Sequence, residues 1–582
     1  MDRRRLALIF GAAVVARVVW VVAFMRGYLP TSDADSYFQI GRSVSKGHGY
    51  AFTLPFEFVH ATAVRPPLFP TVLAAAFRIF GVHIGVAQGV NILAGSAAAV
   101  VGALIADRIA GPRAGLCAGL ILALYPTLIA NDVTVLVESL AVLLLFATVL
   151  LLLDGRTVLA GVTLGLLMLD RASAQWFVLV VAAWVLWRLG WRHAVRLIVV
   201  ALLVVAPWVA RNAIQVGGPV LVTTNGFNLN ATFSAEARQS GDFVDGFLDP
   251  HFADMRARAL DEVDLDAQLR KKATHDLRAD PGWIVHVVRV NVEHWLEIRP
   301  GLNTRAERLD GRNLTTRDWT LPFFYLVTAV GLFGLVRARR AAAAQLLLLA
   351  AAYFTAVCMF SIAAPRLRSL FDASVALGAG VAVALLSKRR AEVAVRAPEQ
   401  RPLRVFRSVV VLVSCVAIVV VAAGVWRSHA QRAARSSELA AVTRDGFAIG
   451  DIRAQYRLAL ERHEPPRIEQ KDLDAARDLL AVVGDRAPKV ASRFRPQVAS
   501  ALRTVRVAVQ EADVVSLLSI AEYLDAARTQ RTPSLEHVQR RYEHEVQAVN
   551  PALDPWDAVL SGRSLAASRQ AIEDLRAALT AH

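Results

Sequence analysis

Acidic and basic side chains gather just after the first long apolar run of the chain. Asp33, Asp35 and Arg65 lie within residues 31–70, a stretch that is rich in glycine, proline and aromatic residues. A positioned carboxylate can act as a general base, and an arginine that is held in place can bind a phosphate. These residue types in this stretch indicate a site for chemistry rather than a solvated linker.

Each of these side chains also has a simpler explanation. Asp33 stands four residues before Tyr37, at the head of a segment that predicts an amphipathic helix on the outer face of the bilayer, and aspartate is a preferred N-cap. Asp35 in the first turn would suit the helix dipole. Arg65 precedes two prolines that restrict its backbone, and it could equally anchor the chain to lipid headgroups. Taken singly, these residues leave capping and anchoring open.

Further charged residues stand at the predicted ends of apolar runs. Glu138 opens one run, and Asp170-Arg171 separates two others. A helix dipole or a paired helix end accounts for these positions. Arg366 and Arg368 are different, because the predicted topology places them on the outer side, against the usual charge bias of membrane proteins. Their position favours an anionic ligand.

The hydrophobic composition determines the class of protein. The chain is 55% hydrophobic, its mean hydropathy is +0.42, and many apolar runs approach the length that crosses about 30 Å of hydrocarbon. The formal net charge of +16 does not require a nucleic acid, because many basic residues lie in short loops where membrane orientation explains them. All three cysteines fall inside apolar runs, which indicates neither a disulfide framework nor a metal cluster. The sequence predicts an all-α polytopic protein whose first partner is the lipid bilayer.

About eleven transmembrane helices are predicted from the apolar runs and their flanking charges. They lie near residues 6–25, 83–106, 113–130, 133–153, 157–170, 172–188, 194–210, 319–337, 341–362, 368–387 and 406–426. Residues 68–80 are too short to span and carry Arg78, so they predict an interfacial helix. The first span lacks a convincing cleavage site and is interpreted as uncleaved.

The distribution of positive charge predicts the topology. With a cytoplasmic N-terminus, the basic clusters between spans fall on the cytoplasmic side, including the linker 391–405. Residues 26–82 and 211–318 are then exported loops, and the tail from about residue 428 is exported as well. Residues 428–582 have few glycines, helical apolar spacing and regularly placed prolines, which predict a soluble α-helical domain of unknown role.

The motifs, taken in order over roughly residues 1–390, resemble membrane glycosyltransferases of the GT-C class. The closest resemblance is to bacterial relatives of dolichyl-phosphate-mannose protein mannosyltransferases and of the aminoarabinose transferase that modifies lipid A. The motifs that carry it are Asp33-Ala-Asp-Ser-Tyr37, Gly47-His48-Gly-Tyr50, Arg65-Pro-Pro, Glu138, Leu169-Asp170-Arg171, Pro207-Trp208 to Arg211-Asn212, Thr224-Asn225-Gly226-Phe227, and Arg366-Leu-Arg368.

The resemblance implies a GT-C-like bundle that transfers a sugar with inversion from a polyprenyl-phosphate donor to a hydroxyl of a cell-envelope acceptor. Asp33 would be the catalytic carboxylate, and Arg65, helped by Arg366 or Arg368, would bind the donor phosphate. Glu138 would be a second exported acid. The other residues implied to line the site are Tyr37, His48, Asp170, Arg171, Arg211 and Asn225. The active site and the tail would face the exported side of the plasma (inner) membrane.

The metal, the acceptor and two other functions stay open. Asp35 or Glu138 with Asp33 could hold a divalent cation, but hard cations generally need about six or more oxygen ligands, and two carboxylates do not establish a site. The acceptor could be a protein, a glycolipid or a polysaccharide. A transporter or flippase of lipid-linked glycan would also explain the spans, although no repeated halves are visible. A non-catalytic scaffold with a recruiting tail is the third hypothesis.

Overall fold

The computed structural model describes residues 1–26, 28–52, 60–244, 262–298, 310–387 and 521–531, together with isolated positions between them. The chain divides into two units. The first comprises Met1–Tyr50, Ala63–Val244 and Leu269–Ser428 and contains every predicted site residue. In the described part of the second unit, Ala51–Phe52 pairs antiparallel with His60–Ala61, and residues 521–528 are helical.

The described residues are mostly helical, which confirms the all-α polytopic class. The helices are α1 (Arg3–Phe24), α2 (Asp33–Ser45), α3 (Leu68–Phe80), α4 (Ile84–Ala110), α5 (Pro112–Leu124), α6 (Pro126–Asp132), α7 (Glu138–Leu153), α8 (Thr157–Asp170), α9 (Phe177–Leu189), α10 (Trp191–Gln215), α11 (Asn225–Phe233), α12 (Ala235–Ser240), α13 (Glu262–Ala279), α14 (Trp283–Leu296), α15 (Leu314–Arg337), α16 (Ala342–Met359) and α17 (Ser369–Ser387). Short 3₁₀ helices cover Ala172–Gln175 and Pro365–Arg368.

All predicted spans before residue 388 have a counterpart among these helices. Seven helices of the described part are long and apolar enough to cross a membrane, and α5 with α6 forms a further pair that is bent by 56°. The helices α7 and α8 are apolar but shorter. Helix α3 has 13 residues and matches the predicted interfacial helix. The predicted last span 406–426, the linker 391–405 and nearly all of the predicted C-terminal domain lie outside the described residues.

Local backbone chemistry sets several helix ends. The predicted break at Asp170-Arg171 is confirmed, because α8 ends at Asp170 and a 3₁₀ turn follows before α9 begins. Gly111 and Gly190 adopt φ of 86° and 88°, a conformation that other residues rarely accept, and they separate α4 from α5 and α9 from α10. These short, sharp connections hold consecutive spans side by side.

Helix α17 packs so closely on α15 that their backbones touch. A Cβ atom added at Gly331 would lie 2.0 Å from the carbonyl oxygen of Val375, and one added at Gly378 would lie 2.4 Å from that of Gly331. Small residues permit this approach, which dispersion forces favour where lipid supplies no hydrophobic drive. The packing fixes α17, and hence the turn Pro365–Arg368 at its head.

Charged groups mark the two ends of the helical bundle. At one end the N-terminal amine lies 2.8 Å from Asp107 Oδ2, and Arg108 Nη1 lies 2.6 Å from Asp154 Oδ1. The first residues of α2, α7 and α17 belong to the other end, where the predicted site residues lie. The N-terminal amine and the predicted site residues therefore lie at opposite ends of the bundle.

The described part of the segment 211–318 is tied to the bundle. Asn291 of α14 donates from Nδ2 to the carbonyl oxygens of Met359 and Ser361 at 3.0 and 3.2 Å, and its Oδ1 accepts from the backbone N–H of Ala363. These hydrogen bonds hold the short segment between α16 and the turn Pro365–Arg368.

Candidate functional site

Asp33 lies between two arginines that come from distant parts of the chain. Its Oδ1 accepts a hydrogen bond from Arg65 Nη2, and its Oδ2 accepts one from Arg366 Nη2. Asp33 is the first residue of α2, while Ser32 occupies the N-cap position and no side chain caps the helix. The capping explanation for Asp33 is therefore wrong, because both carboxylate oxygens face guanidinium groups instead of the helix N-terminus.

The guanidinium of Arg65 is oriented by α2 itself. Its Nε donates to Ser36 Oγ at 2.8 Å, and its central carbon lies 5.3 Å from the centre of the Tyr37 ring. Tyr37 is buried and packs edge-on against Phe69. One turn of helix thus supplies the carboxylate, the hydroxyl and the aromatic face that surround Arg65.

Two further sequence motifs hold the backbone at Arg65. The hydroxyl of Tyr50 lies 3.0 Å from the carbonyl oxygen of Arg65 and 2.9 Å from that of Pro66. The Tyr50 ring packs edge-on against Trp208, and Arg211 Nη2 donates to the Tyr50 carbonyl at 2.7 Å. Arg211 therefore acts on the site through Tyr50, and the end of α10 supports the loop that carries Arg65.

Asp310 also contacts Arg366, although nothing in the sequence singled it out. Arg366 Nε lies 3.0 Å from Asp310 Oδ2, so one guanidinium bridges Asp310 and Asp33. The side chain of Asp310 is only 8% exposed. An Asp-Gly pair in a segment predicted to be exported was the available signal, and it predicts a turn rather than a site.

Burial and the neighbouring charges set the protonation of these carboxyls. Burial alone would raise the pKa of Asp33, but the positive charges of Arg65 and Arg366 more than offset it and hold that pKa well below its usual range. Burial raises the pKa of Asp310 to about 7, because Arg366 compensates only in part and the negative charge of Asp33 adds to the shift. Burial also raises the pKa of Asp35. Near neutral pH Asp33 is ionised and Asp310 titrates.

A second charged group adjoins the turn that carries Arg366. Arg171 Nη1 lies 3.6 Å from Glu138 Oε1, and Arg171 Nη2 donates to the carbonyl oxygen of Leu367 at 3.1 Å. Asp170 is fully buried at the end of α8, and neither of its carboxylate oxygens has a hydrogen-bond partner among the described residues. The structure thus places Glu138, Asp170 and Arg171 together, beside the 3₁₀ turn.

Arg368 is held in a separate ion-pair cluster. Its Nη2 lies 2.6 Å from Glu297, its Nε lies 3.2 Å from Asp372, and its Nη1 donates to the carbonyl oxygen of Trp295 at 2.6 Å. The side chain is 1% exposed, and its guanidinium carbon lies 3.7 Å from the centre of the Phe324 ring. All three nitrogens of Arg368 therefore bind internal partners, and the structure does not bring it to Asp33.

His48 and Asn225 complete the predicted set. His48 is half-buried in the turn after α2, where its backbone N–H donates to the carbonyl oxygen of Ser43. Asn225 is half-buried at the first residue of α11. Asp33, Arg65 and Arg366 form the centre of the candidate site. His48 and Asn225 lie on neighbouring elements, outside this centre.

The residues at the centre do not fit a divalent cation. Both oxygens of Asp33 are bound to guanidinium groups, and Asp35 Oδ1 accepts from Gln39 Nε2 at 3.2 Å. The described part of the chain contains no group of three or more His, Cys, Asp or Glu side chains that could hold a metal ion. While both arginines pair with Asp33, as they do in this structure, a cation there would have to displace a guanidinium group.

Comparison with known proteins gives structural neighbours only. No family model and no curated protein matches the sequence. The chain is similar to the apo oligosaccharyltransferase of Archaeoglobus fulgidus, with 13% identity and a TM-score of 0.42 over 75% of this chain and 56% of that one. It is also similar to AglB of the same organism in complex with an inhibitory peptide and a dolichol-phosphate. The identity is 14% and the TM-score is 0.40, over 74% of this chain and 55% of that one.

ArnT from Cupriavidus metallidurans bound to undecaprenyl phosphate is 14% identical, with a TM-score of 0.38 over 100% of this chain and 78% of that one. The chain thus spans just over half the length of the archaeal enzymes. The solved structures to which it is similar thus include an archaeal oligosaccharyltransferase and ArnT.

Proposed function

We propose that this chain is an inverting glycosyltransferase of the plasma membrane that transfers a sugar from a polyprenyl-phosphate donor to a hydroxyl of a cell-envelope acceptor on the exported face. The observation that carries the proposal is the carboxylate of Asp33 between the guanidinium groups of Arg65 and Arg366. A base and two phosphate-binding cations in one place are the groups that this reaction needs.

The exposure of the three side chains supports a ligand at this place. Asp33, Arg65 and Arg366 are 25%, 21% and 15% exposed, whereas Arg368 in its internal cluster is 1% exposed. Partly exposed ion pairs contribute little to stability, so stability alone does not explain why these three charges lie together. Two partly exposed guanidinium groups leave room for phosphate oxygens.

In the resting arrangement Asp33 is a poor base, because two cations stabilise its ionised form. A donor phosphate that accepts hydrogen bonds from Arg65 and Arg366 would draw both away from Asp33 and raise its proton affinity. Donor binding thereby prepares the base that the next step requires. The exchange costs little, since each guanidinium trades one anionic oxygen for another.

The transfer step follows from this exchange. The acceptor oxygen forms a bond to the anomeric carbon as its proton passes to Asp33, and the bond from that carbon to the phosphate oxygen breaks. The electron pair leaves with the polyprenyl phosphate, and attack from the opposite face inverts the anomeric configuration. Arg65 and Arg366 stabilise the charge that grows on the departing phosphate, an effect that is strongest where water is excluded.

A glycan analysis of the cell envelope tests the proposal. A strain that lacks this protein is complemented with the wild type, with Asp33→Asn or with Asp35→Asn, and the envelope glycans and glycoproteins are measured by mass spectrometry. Asp33→Asn should lower transfer by about 10²- to 10⁴-fold, the usual contribution of a positioned base. Asp35→Asn is the matched control, because Asp35 lies two residues away and contacts Gln39 rather than an arginine. Retained transfer by a normally expressed Asp33→Asn protein would refute the role of Asp33.

A further inference from the structure

Arg366 divides its guanidinium between two carboxylates, and only one of them is needed as the base. Its Nη2 contacts Asp33 and its Nε lies 3.0 Å from Asp310 Oδ2. When a phosphate replaces Asp33 as the partner of Nη2, the Nε contact to Asp310 can persist. Asp310 therefore can hold Arg366 in place during the exchange that the proposed function requires.

Asp310 is itself fixed by its neighbour Gly311. Gly311 has φ of 76°, and a Cβ atom there would lie 2.3 Å from Cε2 of Tyr28. The Tyr28 hydroxyl in turn accepts a hydrogen bond from the backbone N–H of Val135 at 3.2 Å. The turn at Asp310 thus packs against the Tyr28 ring, and the Tyr28 hydroxyl is hydrogen-bonded to the segment just before Glu138.

Building on the proposed function, we propose that Asp310 is a positioning residue for the donor phosphate, which sets through Arg366 both the orientation of that guanidinium and the net charge of the phosphate subsite. With Asp310 ionised, Arg65 and Arg366 are balanced by two carboxylates. With Asp310 protonated, the subsite has a net positive charge of one. An anionic donor binds more tightly to the second state, so binding and protonation favour each other.

Five other charged or titratable groups face Asp310. They are Arg366, Asp33, Glu138, Arg312 and Tyr28. Arg312 is engaged by Glu307 at 3.1 Å, and burial raises the pKa of Tyr28 to about 12. Asp33 stays ionised because its pKa is held low, whereas burial raises the pKa of Asp310 to about 7. The neutral region is therefore where Asp310 changes charge.

Direct binding to the purified full-length protein in lipid nanodiscs tests this inference. The probe is the methyl diester of a polyprenyl phosphate, which keeps one negative charge across the pH range and has no sugar; the polyprenol of equal length is the control. For the wild type, affinity for the diester should fall by about tenfold from pH 6 to pH 8, because the ionised form of Asp310 opposes the anion.

Three variants separate charge from orientation. Asp310→Asn keeps an acceptor for Arg366 but no charge, so its affinity should be independent of pH and should exceed that of the wild type at pH 8. Asp310→Glu keeps a titratable carboxyl and should retain the pH dependence. Asp310→Ala removes the acceptor as well as the charge, so it should bind more weakly than Asp310→Asn at every pH.

The outcomes distinguish this inference from the proposed function. If the wild type binds the diester but Asp310→Asn shows the same change of affinity with pH, the role of Asp310 is refuted and the transferase proposal stands. If the wild type binds the diester no better than the polyprenol, the phosphate subsite itself is refuted. Asp310→Glu covers the case in which the asparagine variant does not fold, since a pH-independent glutamate variant would also refute the inference.

Discussion

Asp33 and Arg366 are 333 residues apart in the chain and share one ion pair, on the same carboxylate that Arg65 binds. The pair joins the helix after the first span to the turn before the last described span. Because α17 is fixed by its close packing on α15, the position of Arg366 depends on the folded bundle and not only on helix α2, which carries Asp33.

Arg366 and Arg368 should respond differently to the same substitution. Arg366→Lys keeps the charge but loses the planar group that bridges Asp33 and Asp310, so transfer should fall by about 10²-fold with little change in melting temperature. Arg368→Lys loses contacts to Glu297, Asp372 and the Phe324 ring, and should lower the free energy of unfolding by roughly 2 kcal/mol.

Thermal unfolding in detergent and transfer per folded molecule measure the two effects. Each variant is the control for the other, because the residues are two positions apart and the exchange is identical. Loss of transfer by a fully folded Arg368→Lys protein would contradict this division of roles.

Tyr50→Phe should weaken donor binding without unfolding the protein. The substitution removes the hydroxyl that lies against the carbonyl oxygens of Arg65 and Pro66 but keeps the ring against Trp208. A backbone that is freer at Arg65 should raise KM for the donor by about tenfold, the equivalent of one hydrogen bond of about 1 kcal/mol or slightly more, while kcat changes less.

Steady-state kinetics at varied donor concentration provide the measurement. The matched control is Tyr325→Phe, which also loses a hydroxyl bonded to a carbonyl oxygen, that of Leu296, on the exposed surface. An equal change in KM for both variants would show that Tyr50 has no special role at Arg65.

Gly311→Ala should displace Asp310, and the cause can be separated into two parts. Alanine at φ of 76° costs about 1 kcal/mol, and a Cβ atom would also collide with the Tyr28 ring. Gly241→Ala has nearly the same backbone angle, φ of 77°, but its Cβ atom would meet nothing within 4 Å. Both variants should be slightly less stable, and only Gly311→Ala should lose transfer activity.

A double variant checks this explanation. Tyr28→Ala with Gly311→Ala removes the collision, so it should recover part of the activity that Gly311→Ala loses, as measured by the transfer assay. No recovery, with activity retained by Tyr28→Ala alone, would indicate that the backbone angle alone matters at this position.

The end of α14 should lose local stability as the pH rises. His294 Nε2 lies 3.2 Å from Asp242 Oδ2. Burial alone would lower the pKa of His294, but the pair with Asp242 raises it above its ordinary value, and the pKa of Asp242 is lowered. The stabilisation of the folded state by His294 is complete below the pKa of a histidine in the unfolded chain, about 6.5. It is lost as the pH rises through the higher pKa that His294 has in the folded protein. The contribution of Asp242 is lost at the acidic end, below about pH 4.

Hydrogen exchange of α14, corrected for the intrinsic rate, measures this effect. Protection in the wild type should decrease above neutral pH, and His294→Gln should remove that change. His275→Gln is the control, because His275 is 83% exposed on α13. Identical pH profiles for the wild type and His294→Gln would contradict the expected effect.

Several elements could be predicted because local sequence determines them. The apolar runs predicted the spans up to residue 387, and Asp170-Arg171 predicted the break after α8. The residue pattern after Asp33 predicted the amphipathic helix α2. Hydrophobic length and periodicity act over one or two turns of helix, so a single sequence carries this information. The ordered motifs placed Asp33, Arg65 and Arg366 in one hypothetical site on the strength of resemblance.

The contacts that define the site depend on tertiary structure. The sequence alone could not distinguish Arg366 from Arg368, which are the same residue type two positions apart, nor could it identify Asp310. The 3₁₀ turn at the head of α17 directs Arg366 to Asp33 and Asp310, and Arg368 to Glu297 and Asp372. Hydrophobic pattern alone determined where the chain crosses the membrane, while the partner of each charge was decided by which distant segments the helix packing brought within hydrogen-bond distance.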